Sequence, residues 1–147
     1  MKQRISTLTR VAEVREIEEE DKVVNVRRAR TALEEQEAAL LMIDRAIDAA
    51  MRRLYEMQSA STLDVVELGM LFEYRESMDR SRDRQSAVVE LARMELDARL
   101  EELLEAHRER RVIETYRDRL KKEFAHQQDL EEQKSMDALF VSRRVLA

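Results

Sequence analysis

The sequence predicts an all-α protein, a long antiparallel two-stranded coiled-coil hairpin with a short helical segment near its turn. Three observations carry this. Proline is absent and glycine occurs once in 147 residues, which removes the commonest turn formers. Charged residues make up 40% of the chain and apolar residues 44%, with only 4% aromatic, a composition that suits helices burying a narrow stripe rather than a thick core. Apolar residues also recur at three- and four-residue spacing in two separated stretches, 26–57 and 88–106.

The first helix is expected over about residues 3–57. Val26, Leu33, Leu40, Ile47 and Leu54 repeat every seven positions, and Ala29, Gln36, Ile43, Ala50 and Met57 follow each of them by three. That is the a/d pattern of a coiled coil, and so narrow a stripe requires a partner helix. Gln36 falls on this seam, either as a device that fixes register or as a tolerated edge residue. Toward the N-terminus Lys22, Glu19 and Arg15 occupy seam positions before Leu8 and Ile5 return, so the first twenty-odd residues are expected to be poorly paired.

The stretch QSASTLDVVELGMLFEY breaks the heptad. Ser61, with Asp64 three residues on, resembles a capping box ahead of the apolar run VVELGMLF. Gln58 to Ser61 is therefore the expected connection, with a short helix over 62–80 in which Gly69 permits either close packing or a bend. A second long helix is expected over about 82–141. Val89, Ala92, Leu96, Leu103, Ala106, Ile113, Leu120 and Phe124 keep the spacing, while Arg99, Arg110 and Arg117 intrude on it. Folding the chain at 58–80 sets the two good seams face to face in antiparallel order and brings the weak ends, 1–22 and 110–147, together. The expectation is a single coiled-coil domain over 1–147 and a monomer when free. The alternative is a generic structural or adaptor coiled-coil protein that forms a parallel dimer through the 26–57 heptad.

The chemistry this chain excludes is as informative. There is no cysteine, hence no disulfide framework or thiol chemistry. No window approaches the about 18 apolar residues of a membrane span, and the first residues lack the apolar core of a secretory signal. Lys and Arg number 27 against 32 Asp and Glu, a formal charge of −5 with mixed signs throughout, which argues against nucleic acid as a partner. The local basic runs, Arg27 to Arg30 and Arg108 to Arg111, read as solvated helix surface. His107 and His126 are too far apart to be adjacent metal ligands, and EIEEED at 16–21 lacks the turn and ligand alternation of a calcium loop. No phosphate loop, zinc cluster or enclosed acid–base pair is legible, so neither an enzyme nor a cofactor is expected. Met42, Met51, Met57, Met70 and Met78 cluster toward the turn, where thioethers fill irregular packing or form adaptable binding faces.

Two stretches carry a family resemblance. EEQEAALLMIDRAID, Glu34 to Asp48, lies on the first helix, and LEEQKSMDALF, Leu130 to Phe140, lies near the end. With the aromatic-containing middle segment VVELGMLFEYRESMD, they make the chain resemble the FliJ family of flagellar export proteins and its counterparts in virulence type III secretion. In the terminal motif Asp137-Ala138 stands where the family usually has Asp-Glu. The resemblance implies a non-enzymatic stalk that enters the hexameric ring of the export ATPase, promotes its assembly, contacts the membrane-embedded export gate and escorts export chaperones. It also implies a cytoplasmic location, peripheral at the inner-membrane export apparatus through protein partners. On this reading Arg119, Lys121, Lys122, Met136, Asp137, Leu139 and Phe140 bind the ATPase ring. Met51, Tyr55, Phe72, Tyr74 and Met78, near the turn, bind the export gate.

Overall fold

The computed structural model describes residues 1–146, which form two helices, α1 over Lys2–Ser59 and α2 over Val65–Leu146. The architecture is the expected all-α antiparallel hairpin. It forms two compact units, each drawing on both helices. A turn unit comprises Val23–Glu102, and a terminal unit comprises Met1–Lys22 with the chain from Leu103 on.

In the turn unit the heptad seam is the core. Val26, Ala29, Ala50, Leu54, Met57 and Val89 are buried, and Leu33, Gln36, Leu40, Ile43 and Ile47 are half-buried between the helices. Removing such apolar surface from water is worth about 25 cal/mol per Å2, so a seam this long, rather than any single residue, holds the pair together. The antiparallel register is written in its cross-helix polar pairs. Arg53 meets Glu67 at 2.7 Å, Arg82 meets Asp44 at 2.5 Å, and Arg93 meets Glu37 at 3.7 Å. Gln36 has a partner on the seam, because the Gln85 amide donates to its side-chain oxygen at 2.8 Å and its backbone carbonyl at 3.0 Å.

The connection is residues 60–64, later than the sequence suggests. Asp64, not Ser61, caps α2, its carboxylate accepting from the backbone N–H groups of Val66 at 3.1 Å and Glu67 at 3.2 Å. Asp64 and Glu67 hold the same spacing as Ser61 and Asp64, and the ionised Asp64 is the stronger acceptor for the orphan N–H groups of a first turn. The short helix expected over 62–80 is not a separate element. It forms the first turns of α2, which runs through Arg80 and Ser81 without a break because nothing there lacks an N–H or needs a left-handed backbone. Gly69 makes no close approach, since a Cβ there would meet nothing within 4 Å.

In the terminal unit the same spacing continues with polar layers. Ala12, Ala106 and Leu120 are buried, and Ile5, Leu8, Leu103, Ile113 and Phe124 are half-buried. Arg15, Glu19, Arg110 and Arg117 take seam positions among them and are half-buried as well. Pairing ends where the Lys2 ammonium lies 6.0 Å from the centre of the Phe124 ring. From Ala125 to Leu146 every residue of α2 is exposed. The two weak ends therefore do not meet along their full lengths: the start of α1 is reached at Phe124, and the rest of α2 continues as a single helix.

Candidate protein-binding surfaces

The first surface is that single helix. Its sequence is apolar on two adjoining faces at helical spacing. Met136, Leu139, Phe140 and Arg143 line one shallow hollow of 280 Å3. Asp137, Ala138, Val141, Ser142, Val145 and Leu146 line another of 600 Å3. Met136, Leu139 and Phe140 are 71%, 66% and 64% exposed, a large apolar display for a helix in water. The Arg144 guanidinium lies 5.8 Å from the Phe140 ring centre, within cation–π range.

The seven residues expected at an ATPase ring thus fall into separate groups. Met136, Leu139 and Phe140 share a face, and Asp137 lies on the neighbouring one. Arg119, Lys121 and Lys122 flank buried Leu120 in the paired part of α2, about 24 Å from Met136 along the helix at 1.5 Å per residue. Arg143, Arg144, Val141, Val145 and Leu146 belong to the same surface and escaped the sequence reading. Their spacing from Met136 and Ala138, at three, seven and eight residues, is the signal that marks them.

The second surface is at the turn. Met51, Tyr55, Phe72 and Tyr74 are exposed, Tyr55 the most at 75%, whereas Met78 is half-buried on the seam side. Met51 and Tyr55 each follow a buried seam residue, Ala50 and Leu54, and Phe72 follows half-buried Leu71. Positions just after the seam share one flank of an antiparallel pair, as the Glu37–Arg93 ion pair demonstrates: Glu37 follows Gln36 and Arg93 follows Ala92. Met51, Tyr55 and Phe72 are therefore brought to one flank. Tyr74, two residues from Phe72, is turned to the opposite flank. Leu63, Val65 and Val66, exposed at 55%, 71% and 73%, add apolar surface around the start of α2 that the sequence reading did not offer as a binding face, beside Met70 at 66%, which it did. The methionines divide accordingly: Met57 is core, while Met42, Met51 and Met70 face solvent.

The strongest electrostatic feature is neither of these. Glu19 lies on the seam of the terminal unit and accepts hydrogen bonds from Arg110 and, at 3.0 Å, meets His107 Nδ1. Arg110 also reaches Glu114 at 2.9 Å, and Arg15 reaches Glu109 at 3.0 Å. Burial works to raise the Glu19 carboxyl, but the hydrogen bonds and charges of Arg110 and His107 outweigh it and hold the group below the ordinary carboxylate range. Sequence reading sees three charged residues spoiling a seam. The structure pairs Arg15 and Glu19 across it. Among the described residues no cluster of three or more His, Cys, Asp or Glu is arranged to hold a metal ion, and no helix is long and apolar enough to cross a membrane.

A protein-family model described as the flagellar FliJ protein matches residues 3–146. No curated protein and no solved structure matches the chain.

Proposed function

The chain belongs to the flagellar FliJ protein family, and from that premise we propose that it is the central stalk of a hexameric export ATPase, entering the ring by the exposed end of α2. The observation that carries this is the run from Ala125 to Leu146, a continuous helix, exposed throughout, with Met136, Leu139 and Phe140 on one face. Apolar side chains displayed on a single helix gain surface burial only when something surrounds them, and a ring lumen is concave on all sides. The neighbouring Arg143, Arg144 and Asp137 then orient the helix against charges lining the channel, with more effect on register than on affinity. Arg119, Lys121 and Lys122, lower on the same helix, meet the rim.

No catalytic residue is required of a stalk. A chain that binds the assembled hexamer better than its free subunits raises hydrolysis by mass action. The Met51, Tyr55 and Phe72 flank at the turn is proposed as the contact to the export gate, which makes the protein peripheral to the inner membrane through its partners. Export chaperones are proposed as further partners.

The test is deletion of residues 130–147. Pairing in the terminal unit ends at Phe124, so the helices upstream should keep their circular dichroism. Stimulation of the cognate ATPase at subsaturating enzyme should fall to the unstimulated rate. Full stimulation by the truncated chain would overturn the stalk reading.

A further inference from the structure

We propose that the exposed end of α2 pairs with the same segment of a second copy of this chain, antiparallel, and so covers the face proposed for the ring. Residues 125–146 are exposed throughout. Within them Glu132, Met136, Leu139 and Arg143 are spaced by four, three and four residues, the spacing of a coiled-coil seam, and form one stripe along the helix. Met136 belongs to two hollows, one shared with Glu132 and the other with Leu139, Phe140 and Arg143, so the stripe is continuous surface.

This stripe is its own complement. In one direction it runs acid, apolar, apolar, base, and an antiparallel copy presents base, apolar, apolar, acid. A two-fold axis perpendicular to the helix, passing between residues 137 and 138, sets Glu132 against Arg143 of the second copy and Met136 against its Leu139. The same axis returns both contacts in reverse, as a self-complementary interface requires. Parallel pairing would instead oppose Glu132 to Glu132 and Arg143 to Arg143. Neither charge is spent within the chain, because Glu132 and Arg143 take part in no ion pair among the described residues. The positions flanking the stripe, Gln133, Ser135, Phe140 and Ser142, carry no charge that would oppose the match. Phe140 follows Leu139, and residues just after a seam share one flank of an antiparallel pair, so both Phe140 rings come to the same flank.

The free segment has the length this register needs. Leu146 of the second copy lies level with Asp129, five residues beyond Phe124, where pairing with α1 ends. Five residues are about 7.5 Å of helix at 1.5 Å each, so the second copy's helix does not meet α1. The apolar part of the stripe is short, and solvated ion pairs set direction more than affinity. The chain is therefore a monomer at micromolar concentration, as the sequence reading expects, and dimerises toward millimolar. That the dimer excludes ring entry rests on the stalk reading; the pairing itself does not.

Sedimentation equilibrium of the full chain from micromolar to millimolar concentration, with no ATPase present, tests the pairing. The wild-type chain should show a monomer–dimer equilibrium, and deletion of residues 130–147 should abolish it. E132R and R143E each set like charges together at both ends of the stripe and should weaken dimerisation at least tenfold. Mixed in equal amounts they should dimerise again, and the double exchange E132R/R143E should do so alone, because each restores acid opposite base. These changes fall on exposed residues and should leave helical circular dichroism intact. A truncated chain that still dimerises, single variants that dimerise as well as wild type, or a double exchange that fails to recover would each overturn the proposal. A wild-type chain that stays monomeric throughout, yet loses ATPase stimulation on the same deletion, would overturn the pairing and leave the stalk reading standing.

Discussion

At the scale of single residues, polar groups on the seam do more than tolerate their position. Glu19 carries a carboxyl held below its ordinary range by Arg110 and His107. A group whose folded pKa is depressed contributes stability that is fully present above its unfolded value, about 4.3 for Glu, and is lost as pH falls through the folded value. Glu19→Gln should therefore lower the thermal midpoint at pH 7, with the gap from wild type closing as the pH is taken below about 4. Circular dichroism melts across that window measure it, and a gap that stayed constant with pH would show that lost packing, not charge, sets the effect. Gln36 and Gln85 make a different case, a neutral pair sharing two hydrogen bonds across the turn unit. Gln85→Leu alone should cost about 1 kcal/mol by leaving the Gln36 amide half-buried and unmatched. The double change to leucine should recover that loss, because an apolar pair needs no matching. A double-mutant cycle showing simple additivity would mean that the two amides are not coupled.

At the scale of elements, the start of α2 and the flank near the turn are where structure adds most to sequence. Asp64 satisfies two N–H groups that the first turn cannot satisfy itself, so Asp64→Ala should destabilise by about 1 kcal/mol, read from denaturant midpoints. Ser61→Ala should leave the midpoint nearly unchanged, and the reverse ranking would restore Ser61 as the cap. The cap was only half legible, because two overlapping pairs, Ser61 with Asp64 and Asp64 with Glu67, both have the right spacing. The extent of α2 was misread for a related reason: an apolar run after a break looks like its own helix, yet residues 79–82 contain nothing that stops one. The flank at the turn follows from phase. Sequence composition picks out Phe72 and Tyr74 together, but two residues apart on a helix they face opposite ways. If the gate docks on the Met51, Tyr55 and Phe72 flank, Phe72→Ala should weaken gate binding at least tenfold in titration calorimetry, and Tyr74→Ala should change it little. Equal losses would place the contact elsewhere.

At the scale of the whole molecule, the seam itself was the most legible feature, since every heptad position from Val26 to Met57 is buried or half-buried in the structure. What sequence left open was how the polar seam residues and the end of α2 are treated. Partner identity on a helix pair is decided by register, which no single helix reveals, so Arg15 and Glu19 read as defects until Glu109, Arg110 and His107 are set opposite them. The same difference in seam chemistry orders stability along the chain. The turn unit buries a run of apolar layers interrupted by the matched Gln36–Gln85 amide pair and by half-buried Arg99, whereas the terminal unit alternates small apolar layers with more numerous ion pairs, which are worth little when solvated. Beyond Phe124 no second helix lies beside α2 among the described residues, and a helix on its own in water is marginal. Opening free energy should fall in that order. Native-state hydrogen exchange of the isolated chain should find the slowest amides at 26–57 and 85–100. Intermediate protection is expected at 5–22 and 103–120, with the fastest exchange from Ala125 onward. Adding the cognate ATPase should protect the last group first, because it alone gains a surrounding surface. Uniform protection along α2 in the free chain would mean that its end is stabilised by something other than the partner proposed to enclose it.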